Sequence, residues 1–141
     1  MKTTISIGFF LALFSTMSFA QKAEIMAVKK TITTFSKAGD NNDATALASV
    51  LDNNYRVIMN RLFGSKEVSI MPREVYLEKI RTKEFGGDSR KVSFESVLIN
   101  GNTATAKVNF KGQKLSMHSL ITLVQDEEGD WKLISDVPVV L

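Results

Sequence analysis

The sequence predicts an α+β domain in which helices come first and a mostly antiparallel sheet follows. Three observations predict it. Apolar residues early in the chain, Ile25, Val28, Ile32 and Phe35, recur at three-to-four spacing. From Lys91 to the end, apolar residues fall in strand-like runs. Short polar turns, Asn100-Gly101 above all, separate those runs. Strands gathered after helices indicate helices packed on one face of a curved sheet and argue against a parallel βαβ array.

The chain opens with MKTTISIGFFLALFSTMSFA, which has one charge, Lys2, an apolar stretch from Ile5 to Phe14, and Ser18-Phe19-Ala20 as a small-x-small cleavage site. The reading is a signal peptide over residues 1–20, cleaved near Ala20, and a single domain over residues 21–141. The apolar stretch falls short of the roughly 20 residues that span a bilayer. With no cysteine to carry a lipid at the mature start, no membrane attachment is expected after cleavage. The expected location is the periplasm or the cell exterior.

Helix one should end near Gly39. Asp43 can cap a second, shorter helix through Leu47, Val50 and Leu51. Tyr55 to Leu62 is rich in β-formers, Gly64-Ser65 reads as a turn, and Lys66 to Ile70 as a short strand. Pro72 suits a first helical position, and Val75, Tyr76, Leu77 and Ile80 give a third helix that stops before Gly86-Gly87. Val92 to Ile99 and Thr103 to Phe110 form a hairpin about Asn100-Gly101, expected as a type I′ turn. Leu115 to Gln125 and Trp131 to Val137 complete an antiparallel run.

Composition excludes several functions. The chain of 141 residues contains no cysteine, which removes thiol and zinc-thiolate chemistry and leaves packing to hold the fold. It carries 18 Lys and Arg against 15 Asp and Glu, and without Lys2 the balance is 17 against 15. No basic stripe interleaved with aromatics marks a nucleic-acid partner. No phosphate loop, Gly-x-Ser-x-Gly elbow, His-Glu-x-x-His or clustered ligand set is present, so neither a metal nor a cofactor is expected.

The element order resembles the nuclear transport factor 2-like (NTF2-like) superfamily. Three stretches carry the resemblance: Asn53-Asn54-Tyr55-Arg56-Val57-Ile58-Met59-Asn60-Arg61, Asn100-Gly101-Asn102-Thr103-Ala104, and Gly129-Asp130-Trp131-Lys132-Leu133-Ile134-Ser135-Asp136-Val137-Pro138. They look like exported bacterial members bearing a lumazine-binding label. The resemblance implies a cone: N-terminal helices packed on a curved, mostly antiparallel sheet around a pocket. It also implies a small-molecule ligand.

Six residues are candidates for that pocket. His118, mid-strand, shares a face with Leu120, Thr122 and Val124; it is either a general base oriented by Asp136 or a histidine satisfied by backbone or water. Asp136 completes a Trp-x-x-x-x-Asp pattern that resembles the last strand of related pocket enzymes. Val137 stands where those enzymes place a histidine. Asp136 is either an acid with a raised pKa in an apolar cavity or the opening of the turn before Pro138. Tyr55, Tyr76 and Trp131 offer flat faces with polar tips, for a heterocycle or for the core. Arg61 falls on the Tyr55 face of the first strand, with Arg56 and Asn60 on the other, so one pair faces inward. The leading expectation is an exported domain that binds a small hydrophobic or heterocyclic molecule. The alternatives are an isomerase- or dehydratase-like enzyme using Asp136 with Tyr55 or His118, and a homodimeric interaction module. Met117, Ile121 and Leu123 opposite Leu120 and Val124 leave apolar residues on both faces of one strand, which suggests the last.

Overall fold

A computed structural model describes residues 7–141; residues 1–6 of the expected leader lie outside the described residues. Helix α1 runs from Ile7 to Asp40, α2 from Ala44 to Ser49 and α3 from Arg73 to Arg81. The strands are β1 Leu51–Asn60, β2 Val68–Pro72, β3 Lys91–Asn100, β4 Thr103–Lys111, β5 Ser116–Gln125 and β6 Trp131–Val140. They form one sheet in the order β2-β1-β6-β5-β4-β3. Every pairing is antiparallel except β1 with β6. The fold class is α+β, three helices on one face of a curved sheet.

Helix α1 buries Val28, Ile32 and Phe35, the residues whose spacing predicted it. Asp43 caps α2 by accepting from the Ala46 N–H at 2.9 Å. That helix ends sooner than predicted, because the Val50 carbonyl accepts from Leu133 N and draws Leu51 into β1. Pro72 closes β2 and serves as the N-cap of α3, one position before Arg73, the first helical residue, where Pro72 itself was expected to stand. The β3–β4 turn also differs. Asn100 pairs with Thr103, so the central residues are Gly101 and Asn102, and of these only Gly101 has a positive φ, 59°. That is the II′ arrangement, with glycine at the first central position, in place of I′.

Three register shifts shape the sheet, one in β1 between Leu51 and Arg56 against β6 and two in the antiparallel run. In β3 the register shifts between Phe94 and Ser96, and in β6 it shifts opposite Thr122 and Leu123. A bulge bends its strand and increases local twist, which curves the sheet around the helices. The shift in β6 has a further effect. Strict alternation from the buried Trp131 and Leu133 would turn Ser135 inward, but the extra residue turns Asp136 and Pro138 inward instead.

The inner face is built in rows across the strands. Ala104, Leu123, Leu133 and Leu51 form one, and Ala106, Ile121, Asp136, Val57 and Met71 the next. Val108, Ser119, Pro138 and the β1 residue Met59 follow, and Phe110, Met117 and Val140 close the series. Helices cover the first rows as a packed core. The last three rows border a cavity.

Candidate functional site

The cavity occupies about 360 Å³ at the Val140 end of β6. Its floor is sheet: Val57, Met59, Asp136, Pro138, Phe110 and Met117. Its roof comes from Phe35 of α1 with Tyr76 and Ile80 of α3. The segment between α3 and β3 supplies Glu84, Phe85, Gly86, Asp88 and Arg90, and Leu62, Phe63, Lys114 and Leu115 complete the lining. A volume of this size, apolar walls and a few polar groups are the features of a small-molecule site.

Aromatic rings build the roof as a connected set. Phe35 stacks on Tyr76 with centroids 6.2 Å apart, Tyr55 lies 5.5 Å from Tyr76, and Phe85 lies 6.3 Å from Tyr76. Phe110 meets Phe35 edge-on at 6.4 Å. Such pairs contribute about 0.5–1.5 kcal/mol each beyond area burial, so the roof is a rigid surface.

Asp136 is the polar centre of the floor. It is 6% exposed, and its Oδ1 has no hydrogen-bond partner among the described residues. Loss of solvent pushes its carboxyl up to about 6; Ser119 and the Arg90 charge act the other way. Ser119 lies diagonal to it across the β5–β6 pair, but the Ser119 hydroxyl is itself buried without a partner in hydrogen-bond geometry. The contact is therefore a polar approach and not a made bond. Burial likewise raises the phenols of Tyr55 and Tyr76, so both stay protonated donors, and the hydroxyl of Tyr55 has no partner.

Arg90 is the cation whose charge acts on Asp136, and its Nε and one terminal nitrogen are committed elsewhere. Nε donates to Asp40 Oδ1, one terminal nitrogen donates to the Ser36 carbonyl at 3.0 Å, and the guanidinium sits 5.2 Å from the Phe110 ring centre. This ion pair fastens the start of β3 to the end of α1 and holds one cavity wall.

The mouth is fastened by Asp88. Its carboxylate accepts four backbone N–H groups, from Ser89, Gln113, Lys114 and Leu115. Desolvation draws its pKa upward, but these bonds outweigh it and leave the group at about 2. A side chain at Gly112 would collide with this carboxylate, which explains the glycine there. On the opposite rim, Arg61 and Phe63 hold left-handed φ values of 55° and 53°, a cost of order 1 kcal/mol each that shapes the β1–β2 tip.

The six sequence candidates separate. Asp136 and Tyr76 line the cavity. Tyr55 faces inward, fully buried behind the lining beside Tyr76. His118 does not join them: it pairs with Val139 while Asp136 pairs with Ile121, and the two side chains point to opposite faces of the sheet. An orienting contact between His118 and Asp136 is therefore absent. Trp131 stands near the other end of β6, buried, with Nε1 donating to Glu24 at 2.8 Å. Arg61 lies beyond the end of β1, exposed at the tip, where the change of φ breaks the alternation that put it with Tyr55.

Sequence reasoning did not find Phe35, Phe85, Phe110 or Arg90 as site residues. Phe110 was open to it, since Ala104, Ala106, Val108 and Phe110 alternate on one face. The Arg90–Asp40 pair, fifty residues apart in sequence, left no local signal. Among the described residues, Asp126, Glu128 and Asp130 place carboxylate oxygens within 4.8 Å of one another. Asp126 is already engaged by the N–H groups of Glu128 and Asp130 and by Lys132. That turn holds itself together.

Cone, curved sheet and the cavity between sheet and helices define an NTF2-like protein. A family model described as "Putative lumazine-binding" matches residues 23–137, and the chain belongs to that family. No curated protein matches it. Among solved structures, an NTF2-like protein from Silicibacter pomeroyi is 17% identical, with a TM-score of 0.74, covering 86% of this chain and 98% of that one. An NTF2-like protein from Shewanella baltica is 15% identical, with a TM-score of 0.73 and coverage of 84% and 94%. A ketosteroid isomerase-like protein from Erwinia carotovora atroseptica is 10% identical, with a TM-score of 0.66 and coverage of 84% and 96%. At these identities the likeness is one of fold.

Proposed function

We propose that the chain binds a small, largely apolar, flat molecule in the cavity between the sheet and α3. One observation carries this reading: an aromatic-roofed space of about 360 Å³ with a buried carboxyl, Asp136, whose Oδ1 is unpartnered. Leaving a buried polar atom unsatisfied costs roughly 1–3 kcal/mol, and a ligand supplying the missing partner recovers it. The family description supports a heterocycle as the ligand class. The isomerase or dehydratase alternative has less support, because His118 faces away from Asp136 and Tyr55 lies behind the lining.

A thermal-shift screen of flat heterocycles and aromatic small molecules tests this. A ligand at a hundred times its Kd stabilises by about 2.7 kcal/mol, enough for a shift of several degrees. Met59→Trp, which fills the floor, should abolish that shift. A screen with no shift for any flat compound, or shifts untouched by Met59→Trp, counts against cavity binding.

Two further readings concern setting and assembly. We infer that residues 1–20 direct export and are removed, a reading supported by their charge, apolar stretch and Ser18-Phe19-Ala20. Among the described residues no helix is long and apolar enough to cross a membrane. We also propose a homodimer through the outer face of the sheet. Leu120 and Ile70 are 57% and 62% exposed, with Val137 and Ile58 between them in one row across four strands. Val139 and Val68 extend the patch. A contiguous apolar surface of this kind marks an interaction site.

A further inference from the structure

We propose that the cavity selects a cationic ligand, an aromatic or apolar body bearing one protonated amine that pairs with Asp136. The inference rests on the cavity-binding reading and narrows it to a chemical class. Geometry disfavours the other charge type first. An anion reaching the floor would meet the Asp136 carboxylate, and Arg90, the cation whose charge acts on that carboxylate, is already paired with Asp40. Arg90 is committed to Asp40 and the Ser36 carbonyl, and Lys114 at the mouth donates to the Gly87 carbonyl at 2.8 Å.

A cation meets the opposite situation. Asp136 is buried, and the groups around it are Tyr55 from β1, Tyr76 from α3, Ser119 from β5, Arg90 from the segment before β3, and Asp40 from α1 behind Arg90. The Arg90 charge is already matched by Asp40, so Asp136 is left as the unmatched charge of this group. At the mouth, Glu84 is matched by Lys79, and Asp88 accepts from four backbone N–H donors. Of the carboxylates lining the cavity, Asp136 is the one with neither an ion-pair partner nor a set of N–H donors, and a buried carboxylate left in that state attracts a cation.

The walls suit the same ligand. Phe35, Tyr76, Phe85 and Phe110 surround the space above the carboxyl, and the faces of aromatic rings attract a desolvated cation. The lining already uses this interaction twice, with Lys79 over Phe85 and Arg90 over Phe110. Burial holds the Asp136 carboxyl near 6, so at pH 7.5 it is ionised and ready to pair, whereas at pH 5 it is largely protonated.

The test uses three matched probes by calorimetry with the intact protein: 2-naphthylmethylammonium, methyl 2-naphthyl ketone and 2-naphthoate. The ammonium should bind at least ten-fold more tightly than the ketone at pH 7.5, and 2-naphthoate least of all. Its affinity should fall about ten-fold from pH 7.5 to 5, as Asp136 takes up a proton. Asp136→Asn should remove both the preference and the pH dependence. The pH series on the unaltered protein gives the same answer if that variant folds poorly. Tighter binding of the ketone, or affinity for the ammonium that rises toward pH 5, overturns the cationic assignment while leaving cavity binding intact. Failure of all three probes to bind overturns both.

Discussion

At the scale of single residues, Asp136 carries the most consequence for stability. Its carboxyl is held at about 6 in the folded protein, above the 3.8 of an unperturbed aspartate. Between those values the folded state binds more protons than the unfolded one, so stability falls as pH rises from about 4 to 6. The loss is on the order of 3 kcal/mol and is complete above pH 6. Replacing the group with a neutral isostere removes that dependence. Calorimetric unfolding of Asp136→Asn should show a flatter profile over this window and a higher Tm at pH 7 than the parent; an equally steep profile would mean the carboxyl is solvated in the folded protein. The identity of this residue was legible in the sequence, but its direction was not. Alternation from Trp131 and Leu133 points Ser135 inward, and the bulge that reverses this has no signature in Ile134-Ser135. His118 shows the converse: its strand face was read correctly, yet alternation alone cannot tell which face is covered by helices.

At the scale of elements, the segment between α3 and β3 decides whether the cavity has a mouth. Asp88 binds the β4–β5 turn through three of its four N–H contacts, and Asn42 Nδ2 donates to the carbonyls of Ile80 and Phe85 at 3.0 and 2.6 Å. Asp88→Ala should release residues 113–115, speeding amide exchange there several-fold while Val108 and Ile121 stay protected. Unchanged exchange at 113–115 would show that the turn is held without Asp88. The elements themselves were largely legible. Apolar spacing gave α1 and α3, and the broken alternation of Val92 and Phe94 against Val97 and Ile99 records the β3 bulge in the sequence. The parallel pairing of β1 with β6 was not legible, since it joins segments some eighty residues apart with no turn to signal it. The walls formed by Arg90 and Asp88 were hidden for the same reason: their partners are distant in the chain.

For the whole molecule, the two faces of the sheet divide the proposed roles. The inner face carries the cavity, and the outer face presents the row from Leu120 to Ile70. Sedimentation should give a dimer, and Leu120→Lys, which places a charge in that row, should shift it toward monomer without lowering Tm; a parent that remains monomeric at high concentration contradicts the dimer. Export has an equally simple readout: the intact mass of the protein recovered from the periplasm or medium should correspond to a chain beginning at Gln21, and a mass including residues 1–20 would refute cleavage. Cavity binding remains the central claim, and it is tested most directly by mapping backbone and side-chain NMR shifts during titration with 2-naphthylmethylammonium. Shifts should concentrate at Tyr76, Phe85, Phe110 and Asp136, with His118 and Leu120 unmoved. Shifts confined to His118, Leu120 and the outer face, or none with the ammonium, the ketone and 2-naphthoate alike at saturation, would contradict it.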